Sequence, residues 1–249
     1  VEICRGITKH HYLVTRTEDL TRIMKEAFYI ATSGRPGPVI IDVCKDVQVK
    51  KIVPDWDAPM NLPGYKPYRR APKQELEPIL QAIRASKRPM LYVGGGAIHS
   101  DASEQLRKFA IRLGIPMAMT VHGLGTFPAD HYLSLHMLGM HGTVYSNYAI
   151  NEADLLLALG VRFDDRVTGR LNAFSPGSKK IHVDIDPSSI NKSVRVDLPV
   201  VGDVGHVVEE MMRIWKARQV KTDQKALAGW WDQINKWRGR NCLKYKASD

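Results

Sequence analysis

Four charges stand together after one apolar run. Arg162, Asp164, Asp165 and Arg166 follow Leu155-Leu-Leu-Ala-Leu159 and Gly160. The run is too short to span a membrane as a helix and predicts a strand buried on both faces. Ligands in an open parallel sheet collect at the carboxyl ends of strands. Two arginines and two aspartates are costly to group there unless they pair or bind something. A surface salt-bridge cluster is the plain alternative. The upstream turn Gly139-Met-His-Gly142 favours a ligand, because two glycines let the backbone approach one closely.

Other residues of the same kind end other apolar runs. Gly94, Gly95 and Gly96 follow Met90-Leu-Tyr-Val93 and precede Ala-Ile-His99. The dinucleotide fingerprint GxGxxG fails there, since His99 takes the third glycine's place, and a plain NAD site is disfavoured. Three glycines still suit a turn against which a planar or phosphorylated ligand lies. Thr120 and Val121 end the next run, with His122-Gly-Leu-Gly125 continuing the rim. Asp184 and Asp186 bracket Ile185, and acids at such a strand end accept hydrogen bonds from a ribose or an adenine amino group. Asp186, before Pro187, fits a turn cap equally well, and Asp203, after Gly202, fits a helix cap. The nine histidines show no HExxH or other zinc spacing, so no metal site is expected.

The elements that must position these residues read as strands alternating with helices. Strands are predicted at 12–14, 38–44, 90–93, 116–120, 155–159, 181–185 and 200–201, the 38–44 strand buried. Thr17 is the expected cap of a helix carrying Leu20, Ile23, Met24, Ala27, Phe28 and Ala31, ended by Gly34. Further helices are marked by Leu76, Ile79, Leu80 and Ile83, by Leu106, Phe109, Ala110 and Leu113, and by Val204, Val207, Val208 and Met211. The expected fold is α/β: a doubly wound, largely parallel, Rossmann-like sheet of five strands, preceded by the C-terminal part of another α/β domain. Residues 48–72 hold five of the fourteen prolines and read as an extended linker. One ligand touching all five strand ends would be a long one.

At 249 residues with 44% apolar composition, the chain can bury a real core, and no apolar run reaches the roughly 18 residues of a membrane helix. It begins at Val1, shows no signal peptide, and is expected to be an internal piece of something longer. Cys4, Cys44 and Cys242 lie far apart, which points to a reducing compartment. The net charge is +10, and between Arg213 and Lys246 ten Lys or Arg oppose only Asp223 and Asp232. A basic tail can bind polyanions, but no nucleic-acid motif accompanies it and a solvated helix face is expected. Trp230, Trp231, Ile234 and Trp237 stripe a short helix, for core packing or for docking on a neighbouring domain. Because the sheet's strands are complete by Val201, residues 222–249 are expected to be dispensable to it.

Two phrases, Leu138-Gly-Met-His-Gly-Thr143 and Gly160-Val-Arg-Phe-Asp-Asp-Arg-Val-Thr-Gly169, resemble the central domain of the acetohydroxyacid synthase (acetolactate synthase) large subunit. The resemblance runs from about Gly6 to about Arg218. It implies the end of a pyrimidine-binding domain at 1–47, the linker 48–72, a central FAD-binding domain at 73–218, and a basic linker or helix at 219–249 towards a pyrophosphate-binding domain. It places Arg35, Gly94, Gly95, Gly96, Thr120, Val121, Leu138, Gly139, Met140, His141, Gly160, Val161, Arg162, Asp164, Asp184, Ile185 and Asp203 around FAD. Lys45, Met140, Asp165 and Arg166 would line the substrate channel, with Arg166 suited to hold a 2-oxoacid carboxylate through its bidentate fork.

The family's reaction condenses two pyruvates, or pyruvate with 2-oxobutyrate, using thiamine diphosphate and Mg²⁺. Its activating glutamate is expected before Val1 and its Gly-Asp-Gly…Asn-Asn motif after Asp249, so no catalytic residue is assigned within the segment. A homodimer or tetramer with a regulatory small subunit is implied, with neither nucleic acid nor membrane as partner. The implied compartment is the bacterial cytoplasm, or a plastid or mitochondrion in a eukaryote. A structural module without ligand, or a related enzyme such as glyoxylate carboligase, are the alternatives; the two phrases favour the synthase.

Overall fold

Residues 1–67, 70–218, 222–240, 242 and 244 are described by a computed structural model, and the chain divides into two units, Val1–Pro67 and Tyr68–Asp249. In the first, β1 (His10–Val14) and β2 (Val39–Val43) pair in parallel through α1 (Leu20–Thr32), and α2 (Lys45–Val49) follows. Thr17 opens a 3₁₀ turn, Thr17–Asp19, instead of capping α1. The face of α1 that is buried carries Ile23, Ala27 and Ile30, while Phe28 is exposed. β2 is only half-buried, in a sheet of two strands, which corrects the expected buried strand. Glu26, a charge inside that buried face, is satisfied by three donors: Arg22 at 2.9 Å, the Tyr12 hydroxyl at 3.0 Å and the Asn61 N–H at 2.6 Å. With Lys25 Nζ donating to the carbonyls of Trp56 and Ala58, α1 lays part of the proline-rich stretch along its own unit.

The second unit is built on six strands: β3 (Pro89–Val93), β4 (Met117–Met119), β5 (Ser134–Met137), β6 (Leu155–Leu159), β7 (Lys179–Asp184) and β8 (Leu198–Val201). Their order is β5-β4-β3-β6-β7-β8 and every pairing is parallel. The sixth strand corrects the expected five. β5 has only four residues and alternates Ser134 and His136 with apolar neighbours, and His136 takes φ +60° at an irregular register, so no apolar run announces it.

The helices are α3 (Lys73–Ala85), α4 (Gly95–His99), α5 (Ser103–Leu113), α6 (Val144–Glu152), α7 (Asp165–Thr168), α8 (Val204–Ala217) and α9 (Gln224–Arg238). Alternation along the strands divides them into two layers. Leu91, Val93, Met117, Leu157 and Val183 join α3, α5 and α8 in one core; Met90, Tyr92, Ala118, Leu156 and Ala158 join α6 and α9 in the other.

α9 corrects a second expectation. Leu227, Trp230 and Ile234 are buried in that second core, and Trp230 Nε1 donates to the Pro89 carbonyl (3.3 Å) and Trp231 Nε1 to that of Gly114 (2.9 Å). Complete strands are not a complete sheet: without α9 one face would keep α6 but lose the part of its cover that α9 supplies. Much of the basic charge is also used internally. Arg238 lies over Tyr145 and Trp231 and donates to the carbonyls of Tyr132 and Ser134, Arg218 pairs with Glu77, and Arg213 with Glu210. Lys221 and Lys246 lie outside the described residues.

Candidate functional site

The chain builds β3, β4 and β5 outward in one direction, then crosses to β6 and builds β7 and β8 in the other. The switch point therefore lies between β3 and β6, where a doubly wound sheet collects ligands. The loops leaving these strands touch. Gly94 N–H donates to Leu159 C=O and Gly96 N–H to Gly160 C=O, each at 3.0 Å. A Cβ on Gly96 would lie 2.6 Å from Gly160 Cα, and one on Gly94 would strike the Gly160 carbonyl. Two of the three loop glycines are thus required by backbone packing, whatever else they contact. Gly95 stands apart, its Cβ position facing His122, with that residue's Cβ at 3.0 Å and its carbonyl oxygen at 3.6 Å.

The two phrases read as one site in the sequence are joined backbone to backbone. Met140 N–H donates to Arg166 C=O at 2.8 Å, and Gly139, at φ +93°, sits so close that a Cβ would lie 2.6 Å from the same oxygen. Asn147 on α6 was not singled out in the sequence, yet it clamps this turn from behind. Its Oδ1 accepts from Gly139 N–H (2.8 Å) and its Nδ2 donates to Gly139 C=O (3.0 Å). Its only sequence signal is a polar residue on the inner side of an otherwise weakly amphipathic helix. Thr143 closes the phrase, donating to Leu135 C=O (3.0 Å) and accepting from Ser146 N–H as the cap of α6 (3.2 Å). Leu138 is buried, whereas Met140 and His141 face outward.

The charge cluster is partly self-paired. Arg162 donates to Asp164 at 2.8 Å, with both side chains substantially exposed. Asp164 also caps α7 through the N–H of Arg166. Its carboxyl is held below the usual range, first by its hydrogen bond with the Asp165 carboxyl, then by the Arg166 N–H and the two guanidinium charges. Asp165 and Arg166 are exposed at the rim, Val161 is buried, and Gly160 turns the chain at φ +62°.

Elsewhere on this edge, Thr120 caps the turn 121–123 by accepting from Gly123 N–H (3.1 Å), and Val121 is exposed. Asp184 is nearly buried and accepts from Asp186 N–H (2.8 Å), with Ile185 half-buried between them. Asp186 takes the cap role, accepting from both N–H and Oγ of Ser188, and Asp203 caps α8 through His206 N–H. The second unit thus carries all the expected site residues except Arg35 and Lys45, which are exposed in the first. An open groove of about 550 Å³, lined by Lys87, Arg88, Trp230 and Trp237, lies at the opposite, amino edge and shares no residue with this site.

A doubly wound parallel sheet whose glycine turns and paired charges gather at one carboxyl edge defines a Rossmann-like α/β module. Residues 76–211 match the model of the thiamine pyrophosphate enzyme central domain, and the chain belongs to that family. It is 48% identical to acetolactate synthase 1, chloroplastic, of Zea mays over the whole chain and 39% of that protein. It is 48% identical to the chloroplastic acetolactate synthase of Arabidopsis thaliana (99% of this chain, 37% of that one). Identity to the acetolactate synthase isozyme 3 large subunit of Escherichia coli (strain K12) is 41%, over 98% of this chain and 43% of that protein. The chain spans about two fifths of the length of these relatives. Among the described residues no helix is long and apolar enough to cross a membrane, and no group of three His, Cys, Asp or Glu could hold a metal ion.

Proposed function

We propose that this chain is the central part of an acetolactate synthase large subunit. The observation that carries the reading is 41–48% identity to plant and bacterial acetolactate synthases over 98–100% of its residues. The reaction joins two pyruvates into 2-acetolactate, or pyruvate and 2-oxobutyrate into the homologous acid, with loss of CO₂ and uptake of one proton. Residues 1–47 close a pyrimidine-binding domain, 48–72 are linker, 73–218 bind FAD, and 219–249 lead on to a pyrophosphate-binding domain. The working enzyme is a dimer or tetramer with a small regulatory subunit, in a bacterial cytoplasm or an organelle.

FAD fits the donor set at the carboxyl edge. Arg162 offers guanidinium charge for a pyrophosphate, and Asp184 offers a nearly buried carboxylate for ribose hydroxyls; Arg35, in the first unit, is assigned to FAD by the family resemblance alone. Gly94, Gly95, Gly96, Thr120, Val121, Leu138, Gly139, Met140, His141, Gly160, Val161, Asp164, Ile185 and Asp203 line the rest. A flavin supplies electron or hydride transfer, but the condensation has no net oxidation, so its place here is to shape the site. Arg166 holds the second 2-oxoacid by its carboxylate, with Met140 and Asp165 on the same edge; Lys45, in the first unit, is assigned to the channel by the family resemblance alone. Packing alone accounts for Gly94 and Gly96, which favours, at those two positions, the reading of a purely structural loop.

Thiamine diphosphate and Mg²⁺ do not fit these residues: neither the Gly-Asp-Gly…Asn-Asn motif nor its equivalent occurs in the 249 residues, and Gly202-Asp-Val204 is no substitute. The test follows from that. The complete enzyme should form acetolactate from pyruvate with thiamine diphosphate, Mg²⁺ and FAD, and residues 1–249 alone should form none. Turnover by the 249 residues would show the catalytic groups to be misassigned.

A further inference from the structure

Phe163 lies between Arg162 and Asp164, yet it points away from them. Its ring is 2% exposed and its backbone takes φ +50°, a left-handed conformation that a bulky residue adopts only when the surroundings impose it. The reason is a slot in the sheet. Tyr92, Ala158 and His182 stand side by side in register on β3, β6 and β7. The small Ala158 leaves a gap between two rings, and Phe163 contacts both edge-on, Tyr92 at 5.6 Å and His182 at 5.0 Å between centroids, with Phe174 at 6.0 Å. His182 adds a polar hold on the same loop. It is fully buried between Ile181 and Val183, and its Nε2 lies 2.8 Å from Val161 C=O, so that nitrogen carries the proton and donates. Nδ1 is buried without a partner. Such a group is costly to bury, and a histidine used only to fill volume would be replaced by an apolar side chain at no loss.

We propose that His182 and Phe163 are positioning residues: the hydrogen bond to Val161 and the ring seated over Ala158 fix the turn 160–164, and so set where Arg162 and Asp164 stand on the ligand edge. The joint to the second phrase makes the effect wider. Asp164 C=O accepts from Val167 and Thr168 N–H (2.9 and 3.0 Å), and Arg166 C=O accepts from Met140 N–H. A turn released at Val161 therefore loosens 160–169 and 138–143 together. The consequence for binding rests on the reading of this edge as a flavin and 2-oxoacid site.

The test compares His182→Leu, His182→Gln and Phe163→Gly in the complete enzyme by hydrogen exchange without flavin, and by FAD titration and the KM for pyruvate. His182→Leu should speed exchange in 160–169 and 138–143 at least tenfold while 204–217 stays protected, weaken FAD binding tenfold or more, and raise KM. His182→Gln, whose amide can still donate to Val161, should recover most of both. Phe163→Gly relieves the left-handed backbone yet removes the ring, so it should behave like His182→Leu. If His182→Leu folds too poorly to measure, Phe163→Gly against His182→Gln decides the same point. Unchanged exchange in the two segments, or an equal rise in 204–217, would overturn the proposal. Faster local exchange with normal FAD affinity and KM would sustain the positioning role and defeat the reading of the edge as the ligand site.

Discussion

The two edges of the six-stranded sheet divide the work of pairing their polar groups differently. At the amino edge, side chains turn inward to backbone. Asp154 accepts from Ser86 Oγ and from the N–H groups of Lys87 (2.8 Å) and Arg88 (3.0 Å), tying the entry of β3 to that of β6. Trp230, Trp231 and Arg238 of α9 donate to carbonyls at the entries of β3, β4 and β5. At the carboxyl edge backbone also secures backbone, glycine against glycine at 94–96 and 160, and Met140 against Arg166; Asp164, Asp184, Asp186 and Asp203 hold backbone N–H groups, while Arg162, Asp165 and Arg166 face outward. Buried polar groups must be paired; at the carboxyl edge backbone meets part of that demand, which leaves Arg162, Asp165 and Arg166 exposed at the rim.

This contrast predicts that amino-edge changes act on stability and carboxyl-edge changes on binding. The largest effect belongs to α9. Trp230→Ala should cost about 3–5 kcal/mol and lower the melting temperature by roughly 10 °C; calorimetry on the 249-residue chain checks it. A melting temperature within about two degrees of the parent would break the contrast, since α9 would then not belong to the core.

Next comes pH. Burial holds the His182 imidazole down to about 4, with the Val161 bond acting weakly the other way. The unfolded state, titrating near 6.5, then binds the proton first. Stability should be fully present above about pH 6.5 and fall as the pH drops towards 4, by up to about 3 kcal/mol. His182→Gln should flatten that part of the pH–stability curve. An unchanged slope would assign it to other groups.

At the carboxyl edge, Arg166→Ala should raise the KM for pyruvate and lower kcat/KM by roughly ten- to a hundredfold, the loss of about 1.5–3 kcal/mol from a charge-assisted pair. Its melting temperature should hold. The smallest change is Asn147→Ala. Losing both bonds to Gly139 should cost about 1–2 kcal/mol and loosen Met140, read as a higher KM at nearly constant kcat. A drop in melting temperature with KM unchanged would make Asn147 a purely structural tie.

How far the sequence disclosed this follows from the physics of each signal. Long apolar runs such as Leu155–Leu159 marked strands, and glycines with charges at their ends marked the rim. β5 escaped because its four residues alternate and bulge at His136. Asn147 and His182 escaped because a polar residue within an element reads as surface until its partner, distant along the chain, is known. Asp186 and Asp203 were ambiguous between ligand and cap, and geometry gives each a backbone N–H to accept. The tryptophan stripe is plain in the sequence, but its target is not, because complete strands do not reveal which helices cover them.

The central claim is that the carboxyl edge takes FAD through Arg162 and its neighbours, with Arg166 beyond them serving the substrate. An equilibrium titration of FAD into the complete enzyme, comparing Arg162→Ala with Arg166→Ala, tests it most directly. Arg162→Ala should weaken flavin binding at least tenfold, while Arg166→Ala keeps it within about twofold of the parent. Equal, undiminished FAD affinity in both variants, with lowered melting temperatures, would make the four charges a salt-bridge cluster and contradict the account.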